Sequence, residues 1–122
     1  DKRISFYESN ITPEYFEKAI LVAKEKIENP KFIVFSDDVE WVKNNMNFPK
    51  DTLYESGKDP VWEKLRLMYN CKHFIISNST FSWWAQYLSR NENDKIVIAP
   101  DKWKNDGYNE DIYQDGWIRI KL

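Results

Sequence analysis

The chain alternates between short apolar runs and helical patterns along most of its length. The apolar runs occupy residues 32–35, 52–54, 73–77 and 96–99. Continuous apolar runs are typical of strands that are buried on both faces, as the strands of parallel sheets are. Because helical patterns separate these runs, we predict an α/β fold in which a mainly parallel sheet lies between two layers of helices.

Four helices are predicted around these strands. The first begins at Pro13, which suits a first helical position, and it ends before Pro30, because a residue preceding a proline avoids the α region. The second covers about residues 39–45, the third precedes the strand at 73–77, and the fourth follows that strand. The residues predicted on the inward faces of the second and third helices are Trp41, Val42, Trp62, Leu65, Met68 and Tyr69.

The 122 residues are predicted to form a single domain, spanning residues 1–122. Residues 1–10 offer few apolar anchors, and we interpret them as an incoming connection. The tail after residue 100 is too apolar to be free in solution, so a short element is expected to pack back onto the sheet. Its apolar residues are Tyr108, Ile112, Tyr113, Trp117, Ile118 and Ile120.

Charge and composition exclude several classes of protein. The chain has 18 Lys and Arg against 20 Asp and Glu, so it lacks the basic surplus of a general nucleic-acid binder. Cys71 and His73 are the only residues of their types, which rules out an internal disulfide and a two-histidine zinc site. We interpret both as structural. No apolar run approaches the ~18 residues of a transmembrane segment, and we expect a cytoplasmic location.

Polar segments follow three of the predicted strands, at residues 36–38, 77–80 and 100–102. The carboxyl ends of parallel strands meet at one edge of a sheet, and ligands of open α/β sheets bind there. The segment at 77–80 consists of Ser77, Asn78, Ser79 and Thr80 and leads into a helix. Hydroxyls and free N–H groups at that helix N-terminus would suit a phosphate. The alternative is an ordinary helix cap, which these residue types also form.

Asp37 and Asp38 follow the buried strand at 32–35 and also have two interpretations. One carboxylate could hold a ribose hydroxyl or a nucleobase N–H. Alternatively, the pair caps the helix that follows, and with two residues both roles can be filled. A metal site built on this pair has no third acidic ligand at an obvious spacing, so we predict that no metal is bound.

Three motifs give the chain a recognisable pattern. They are FSDD at residues 35–38, LMYNCKHFIISNSTFSWW at 67–84, and IVIAP at 96–100 followed by Trp103. In these motifs the chain resembles the α1,2-fucosyltransferase family, especially its bacterial members. The second motif is long and unusual, and the resemblance extends over about residues 13–120.

The resemblance implies a fold and an activity. Members of the family have two Rossmann-like domains that face each other across a cleft, the GT-B architecture. They transfer L-fucose from GDP-β-L-fucose to a sugar hydroxyl, with inversion and without a metal or other cofactor, and the C-terminal domain holds the nucleotide. Carried onto this sequence, Ser79, Thr80 and Phe81 would lie at the pyrophosphate. Asp37 and Asp38 would lie near the ribose and guanine. With Ser77 and Asn78, these residues form the predicted donor site.

The sequence departs from the family pattern in two places. It lacks the His-x-Arg-Arg-Gly-Asp-like motif whose arginine neutralises the leaving diphosphate, so no catalytic residue is assigned. The chain therefore resembles the C-terminal, donor-nucleotide portion of the family. It is expected to be inactive alone and to meet the acceptor glycan through a missing N-terminal domain. The full-length enzyme could lie at the periphery of the inner membrane. Lys64 stands where similar proteins have an acid that reads guanine, and Glu63 is its acidic neighbour.

Two alternatives from other classes stay open at this point. The first is a nucleotide- or phosphate-binding module without a transfer role, for which the missing arginine is the main argument. The second is a receiver-like signalling domain, because Asp37 and Asp38 after a strand resemble an acidic phosphorylation pocket. That reading needs an aspartate at the end of the strand at 73–77, where Ser77 and Asn78 stand instead.

Overall fold

The computed structural model describes residues 3–8, 13–55, 58–77, 79–89, 95–101, 113–114 and 116–121. The side chains of Glu8 and Thr80 are outside that description. The elements in chain order are β1 (Arg3–Glu8), α1 (Pro13–Lys26), β2 (Lys31–Ser36), α2 (Val39–Asn45), β3 (Leu53–Tyr54), α3 (Val61–Tyr69), β4 (His73–Ile75), α4 (Thr80–Leu88), β5 (Val97–Pro100) and β6 (Ile118–Ile120).

The strands form one sheet in the order β3-β2-β1-β4-β5-β6. Every pairing among the described strands is parallel. Since helices cover both faces, the chain is a three-layer Rossmann-like α/β/α structure, and the predicted fold class is confirmed. The carboxyl ends of all these strands consequently lie along one edge of the sheet.

The first strand corrects the interpretation of residues 1–10 as a connection. Arg3–Glu8 forms β1, which lies inside the sheet and pairs with β2 on one side and β4 on the other. Ile4 and Phe6 are fully buried, and Ser5 between them is buried as well. The prediction failed because β1 lacks a continuous apolar run. Its burial comes from strands on both sides, which local sequence does not reveal.

One face of the sheet packs against α1 and α2. Alternate strand residues point to this side, as the two-residue period of a strand requires. Phe16, Ala19 and Ala23 of α1 and Val42 of α2 complete the buried cluster. The strand residues in this cluster are Ile4, Phe6, Phe32, Val34, Ile75, Ile98 and Ile120.

The opposite face packs against α3 and α4. Met68 and Cys71 come from α3 and the turn after it, and Ala85 comes from α4. Burial of each large apolar side chain contributes about 1.5–3 kcal/mol, so both faces contribute substantially to stability. The strand residues in this second cluster are Tyr7, Phe35, Phe74, Ile76, Val97 and Ala99.

Two of the predicted inward-facing tryptophans point outward. Trp41 is 37% exposed and Trp62 is 69% exposed, whereas Val42 and Met68 on the same helices are buried. A tryptophan adds apparent amphipathicity to a short helix wherever it lies, so pattern alone placed both wrongly. On α4, Trp83 packs against the core while Trp84 is 46% exposed.

The tail joins the sheet, as the prediction of a packed element required. Ile118–Ile120 forms β6, which pairs with β5 along the register Ile98 to Ile118 and Pro100 to Ile120. Tyr113 donates a hydrogen bond from its hydroxyl to the carbonyl of Pro100. Arg119 lies over the Tyr113 ring, 3.8 Å from its centroid. The predicted contributions of Tyr108 and Ile112 lie outside the described residues.

Candidate functional site

The turn from β4 into α4 contains the serines that the sequence singled out. Ser79 is the N-cap of α4, and its Oγ accepts a hydrogen bond from the backbone N–H of Ser82 at 3.4 Å. The hydroxyl of Ser82 in turn donates to the carbonyls of Ser77 at 3.1 Å and Ser79 at 3.0 Å. The capping interpretation of this segment is therefore correct. It leaves the amino terminus of α4, with its partial positive charge, at the carboxyl edge of the sheet.

The remaining members of this segment are only partly described. Ser77 is fully buried, so its side chain lies inside the fold at the strand end. Asn78 lies outside the described residues, and Thr80 is the first helical residue of α4. Phe81 is half-buried, and its ring centroid is 5.7 Å from that of Tyr7 on β1. Phe81 thus anchors the start of α4 to the centre of the sheet.

A buried tyrosine supports the same strand end from the other face. Tyr15, in the first turn of α1, donates its hydroxyl to the carbonyl of Ile76 at 2.6 Å, with the carbonyl of Ile98 at 3.2 Å. Burial, with a smaller contribution from Tyr113, raises the pKa of Tyr15 well above its usual value. The phenol therefore stays protonated and holds the ends of β4 and β5 together.

Asp37 and Asp38, which follow β2, have different roles. Asp38 is the N-cap of α2, and its Oδ1 accepts from the backbone N–H of Trp41 at 3.1 Å. The backbone N–H of Asp38 donates to the hydroxyl of Ser36 at 2.9 Å, which fixes the turn. Both aspartates are exposed. With Asp38 engaged as a cap, Asp37 is the member of the pair better placed to accept a hydrogen bond from a ligand.

Two cavities open at this edge of the sheet and share two lining residues, Tyr54 and Glu55. The smaller has a volume of about 330 Å³, and Asp37, Asp38 and Lys43 are among its lining residues. The larger, of about 640 Å³, extends under α3. Glu55 directly follows β3 and lies at the same sheet edge, since its N–H donates to the carbonyl of Val34 on β2. Glu55 was not among the predicted site residues. The sequence feature that could have identified it is its position directly after a strand.

Lys64 lies inside the fold rather than on a solvated helix face. Its side chain is 16% exposed, and its Nζ lies 3.9 Å from Oε2 of Glu55. The neighbouring Glu63 points elsewhere and accepts a hydrogen bond from Nε of Arg66 at 3.0 Å. That hydrogen bond lowers the pKa of the Glu63 carboxyl. Of the two acids near Lys64, Glu55 is the one that borders the cavities.

His73 and Cys71 have structural roles, as predicted. Nδ1 of His73 accepts a hydrogen bond from the backbone N–H of Ile96 at 3.0 Å, at the start of β5. Cys71 is a buried free thiol within the core of the α3–α4 face. Burial raises the pKa of Cys71 to about 11, against a smaller lowering effect of Arg3. Neither residue borders the smaller cavity at the sheet edge.

The edge thus combines helix N–H groups with hydroxyls on one side of β1 and carboxylates on the other. Because β1 separates β2 from β4, the ends of these two strands are two strand spacings apart, about 10 Å. That separation suits an extended ligand with an anionic end and a hydrogen-bond-donating end. In the described part of the chain, no three His, Cys, Asp or Glu side chains are grouped as metal ligands. Among its helices, none has the length and apolar character to cross a bilayer.

Comparison with known proteins gives consistent matches. The family model for glycosyl transferase family 11 matches residues 6–121. The chain is 35% identical to the O-antigen biosynthesis glycosyltransferase WbnK of Escherichia coli over 109 residues, which are 88% of this chain and 36% of that protein. It is 36% identical to an alpha-1,2-colitosyltransferase of Escherichia coli over 116 residues, 90% of this chain and 39% of that protein.

A mammalian relative matches more weakly. The galactoside alpha-(1,2)-fucosyltransferase 1 of Leontocebus fuscicollis is 30% identical over 88 residues, which are 70% of this chain and 24% of that protein. No solved structure matches. The chain thus spans less than half the length of these curated relatives. The matches confirm the resemblance drawn from residues 67–84 and remove the receiver-like alternative.

Proposed function

The chain belongs to glycosyl transferase family 11, and on that premise we propose that it is the donor-nucleotide domain of a fucosyltransferase, with GDP-fucose as the donor. The observation that carries the proposal is the amino terminus of α4. It is capped by Ser79 and faces the carboxyl edge of the sheet, two strands from Asp37. A helix N-terminus favours anions, and the exposed carboxylate of Asp37 favours hydroxyl or N–H donors.

Each end of the nucleotide has its own contacts in this proposal. In the proposed complex the pyrophosphate accepts hydrogen bonds from backbone N–H groups at the start of α4 and from the hydroxyls of Ser79 and Thr80. The carbonyl of Ser77 accepts a hydrogen bond from the hydroxyl of Ser82 in the turn that leads into α4, and Phe81 holds the helix against Tyr7. Asp37 accepts a hydrogen bond from a ribose hydroxyl, while Asp38 keeps α2 in place.

The chemistry of the full enzyme would be a direct displacement at the anomeric carbon of the fucose. The contribution of this chain is to stabilise negative charge on the departing GDP. Preorganised N–H dipoles at the start of α4 would provide this stabilisation. The arginine that neutralises the diphosphate in similar proteins is missing from this sequence. We therefore expect no fucose transfer from this chain alone. The second domain of the GT-B architecture would bind the acceptor glycan. We also propose a cytoplasmic location, which suits an enzyme that uses GDP-fucose as its donor.

Titration calorimetry with GDP tests the proposed phosphate-binding site at the amino terminus of α4. The Ser79→Ala, Thr80→Ala double variant should bind GDP at least about tenfold more weakly, because a hydrogen bond to a charged group is worth about 1.5–3 kcal/mol. Ser79→Gly, Thr80→Ala is the control for the helix cap, since glycine at an N-cap costs only about a few tenths of a kcal/mol. This control variant should bind GDP as weakly as the Ser79→Ala, Thr80→Ala variant. Equal affinity in all three proteins would locate the phosphate elsewhere.

A non-catalytic nucleotide-binding module is the second candidate, because the helix N-terminus and Asp37 would hold a nucleotide whether or not a sugar is transferred. The two candidates differ in their response to the sugar. A donor domain should bind GDP-fucose and GDP with different affinities, because part of its site contacts the fucose, whereas a nucleotide module should treat them alike. Turnover of radiolabelled GDP-fucose onto galactosides above the hydrolysis blank would show that the chain is active alone.

A further inference from the structure

The carboxylate of Glu55 is buried without a hydrogen bond. Its side chain is 2% exposed, and both carboxylate oxygens lack a hydrogen-bond donor among the described residues. Leaving a buried acceptor unsatisfied costs about 1–3 kcal/mol, and more for a charged group. Buried polar groups in folded proteins nearly always have partners, so one without them points to an absent ligand or a functional role.

Glu55 borders a cavity whose lining combines apolar side chains with the polar side chains of Arg3, Asp59, Arg66 and Asn70. The larger cavity that it borders has a volume of about 640 Å³. Ile33 and Phe35 of β2, Leu53 of β3 and Leu67 of α3 provide apolar wall around it. Ligand sites commonly have such apolar walls with a few polar groups that fix orientation. Glu55 also borders the smaller cavity, which Asp37 lines.

Lys64 lies beside the carboxylate of Glu55 and lines neither cavity. Its Nζ lies 3.9 Å from Oε2 of Glu55, beyond the range of a good hydrogen bond. Oε1 of Glu55 is equally without a donor. The ammonium therefore holds the carboxylate electrostatically and leaves its acceptor sites to another molecule.

We propose that Glu55, held by Lys64, is the specificity-determining residue for the nucleobase, and that the base it selects is guanine. This inference rests on the proposed function, because it extends the same nucleotide site from the ribose at Asp37 to the base. Guanine presents two adjacent N–H donors, at N1 and N2, which a carboxylate accepts as a fork.

Adenine fits this arrangement poorly. Its corresponding edge carries an acceptor at N1, which would face the carboxylate, and a single amino donor. Hypoxanthine lacks only the N2 amino group and keeps N1–H and O6. Diphosphates of guanosine, inosine and adenosine therefore form a graded series. IDP lacks only the N2 amino group, and ADP in addition has an acceptor at N1 and an amino group in place of O6. The predicted order of affinity is GDP, then IDP, then ADP.

The competing explanation is a purely structural ion pair between β3 and α3. Buried ion pairs often contribute little net stability, yet removing one partner is costly because the other is left uncompensated. A structural pair would make Glu55 important for folding but irrelevant to base preference. The ratio of affinities for the three nucleotides separates the two explanations, because a change in stability alone affects all three equally.

The test measures dissociation constants for GDP, IDP and ADP with the chain and two matched variants. Glu55→Gln preserves shape but replaces one acceptor by an N–H₂ donor, and it should reduce the preference for GDP over IDP by about tenfold. Glu63→Gln changes an acid that pairs with Arg66 and itself borders neither cavity, so it should leave the preference unchanged. If Glu55→Gln fails to fold, Lys64→Gln and the nucleotide ratios of the unmodified chain decide the matter.

Each outcome has a definite meaning. Preference for GDP that disappears in Glu55→Gln and survives in Glu63→Gln supports the inference. If Glu55→Gln does not fold, GDP preference in the unmodified chain that falls in Lys64→Gln supports it instead. Equal binding of the three nucleotides by the unmodified chain, or full preference retained in Glu55→Gln, overturns it and leaves the proposed nucleotide site standing. Loss of preference in Glu63→Gln assigns base reading to Glu63 and also overturns it. Absence of binding by every nucleotide overturns both this inference and the proposed function.

Discussion

The hydroxyl of Tyr15 and the carbonyl oxygen of Ile76 are 2.6 Å apart, and they join the first turn of α1 to the end of β4. Ile76 immediately precedes Ser77, at the start of the turn that carries the proposed phosphate seat. This contact lies on the opposite side of the sheet from α4. Tyr15 is consequently a positioning residue for the site, although its side chain is buried away from the sheet edge.

Removing the hydroxyl of Tyr15 should lower stability in a pH-dependent way. Tyr15→Phe is expected to cost about 1–2 kcal/mol near neutral pH, because the hydrogen bond to a buried carbonyl is lost. The folded-state pKa of Tyr15 is raised by burial, so its stabilising effect is complete below about pH 10, the ordinary tyrosine value. That effect is lost as the pH rises further. Urea unfolding of both proteins between pH 7 and 12 should show the difference shrinking above pH 10. A constant difference would contradict the prediction.

The acceptor role of His73 can be isolated with two variants of similar shape. Nδ1 of His73 receives the N–H of Ile96. Asparagine can place its side-chain oxygen in a similar position, whereas leucine has nearly the same shape and no acceptor. We expect His73→Leu to be about 1–2 kcal/mol less stable than His73→Asn, because the buried N–H of Ile96 is left unsatisfied. Chemical denaturation of both variants measures the difference. Equal stabilities would mean that His73 contributes packing alone.

Cys71 should be unreactive in the folded chain. Burial raises the pKa of its thiol from 9.0 to about 11, so little thiolate exists at pH 8, and the sulfur is also inaccessible. A chromogenic disulfide reagent should label the unfolded chain at once and the folded chain only at the rate of opening. Since the folded pKa is the higher one, the contribution of Cys71 to stability is lost between about pH 9 and 11. Cys71→Ala should remove that part of the alkaline decline. Fast labelling at neutral pH would refute the prediction.

Nucleotide binding is expected to be independent of divalent metal. The carboxylate of Asp38 is engaged in capping α2, and that of Glu55 is buried beside Lys64. Asp37 alone is too small a ligand set, because Mg²⁺ sites generally combine carboxylates with phosphate oxygens and water. GDP affinity should be the same in EDTA and in millimolar Mg²⁺. An affinity that collapses in EDTA and returns with Mg²⁺ would identify the acidic pair as metal ligands.

The sequence predicted the strands and helices whose own residues settle their structure. The strand at 32–35 and the helix at 39–45 were located closely, because continuous apolar runs and capping residues are local signals. β1 was missed because its burial depends on neighbours on both sides. Trp62 was misplaced because the helical pattern does not say which side of a short helix meets the sheet.

In the candidate site, too, features set by local sequence were predicted and features set by contacts between elements were not. Ser79 and Asp38 were identified as caps from their positions before helices, and both caps are present. Glu55 escaped because β3 has only two residues and its pairing with β2 decides where Glu55 lies. The contact between Lys64 and Glu55 joins residues from α3 and the end of β3, and no spacing rule relates them. Contacts between elements remain beyond what a single sequence indicates.

The position of β1 also has a consequence for how the chain acquires its fold during synthesis. β2 and then β3 extend the sheet on one side of β1, and β4, β5 and β6 follow in turn on the other side. Among the described strands, each one after β1 therefore joins an edge that earlier residues have already made. During synthesis from the amino end, none of the described strands has to insert between two strands that were made earlier. The sheet can grow outward as translation proceeds, which limits the time that unpaired interior strands are exposed to aggregation.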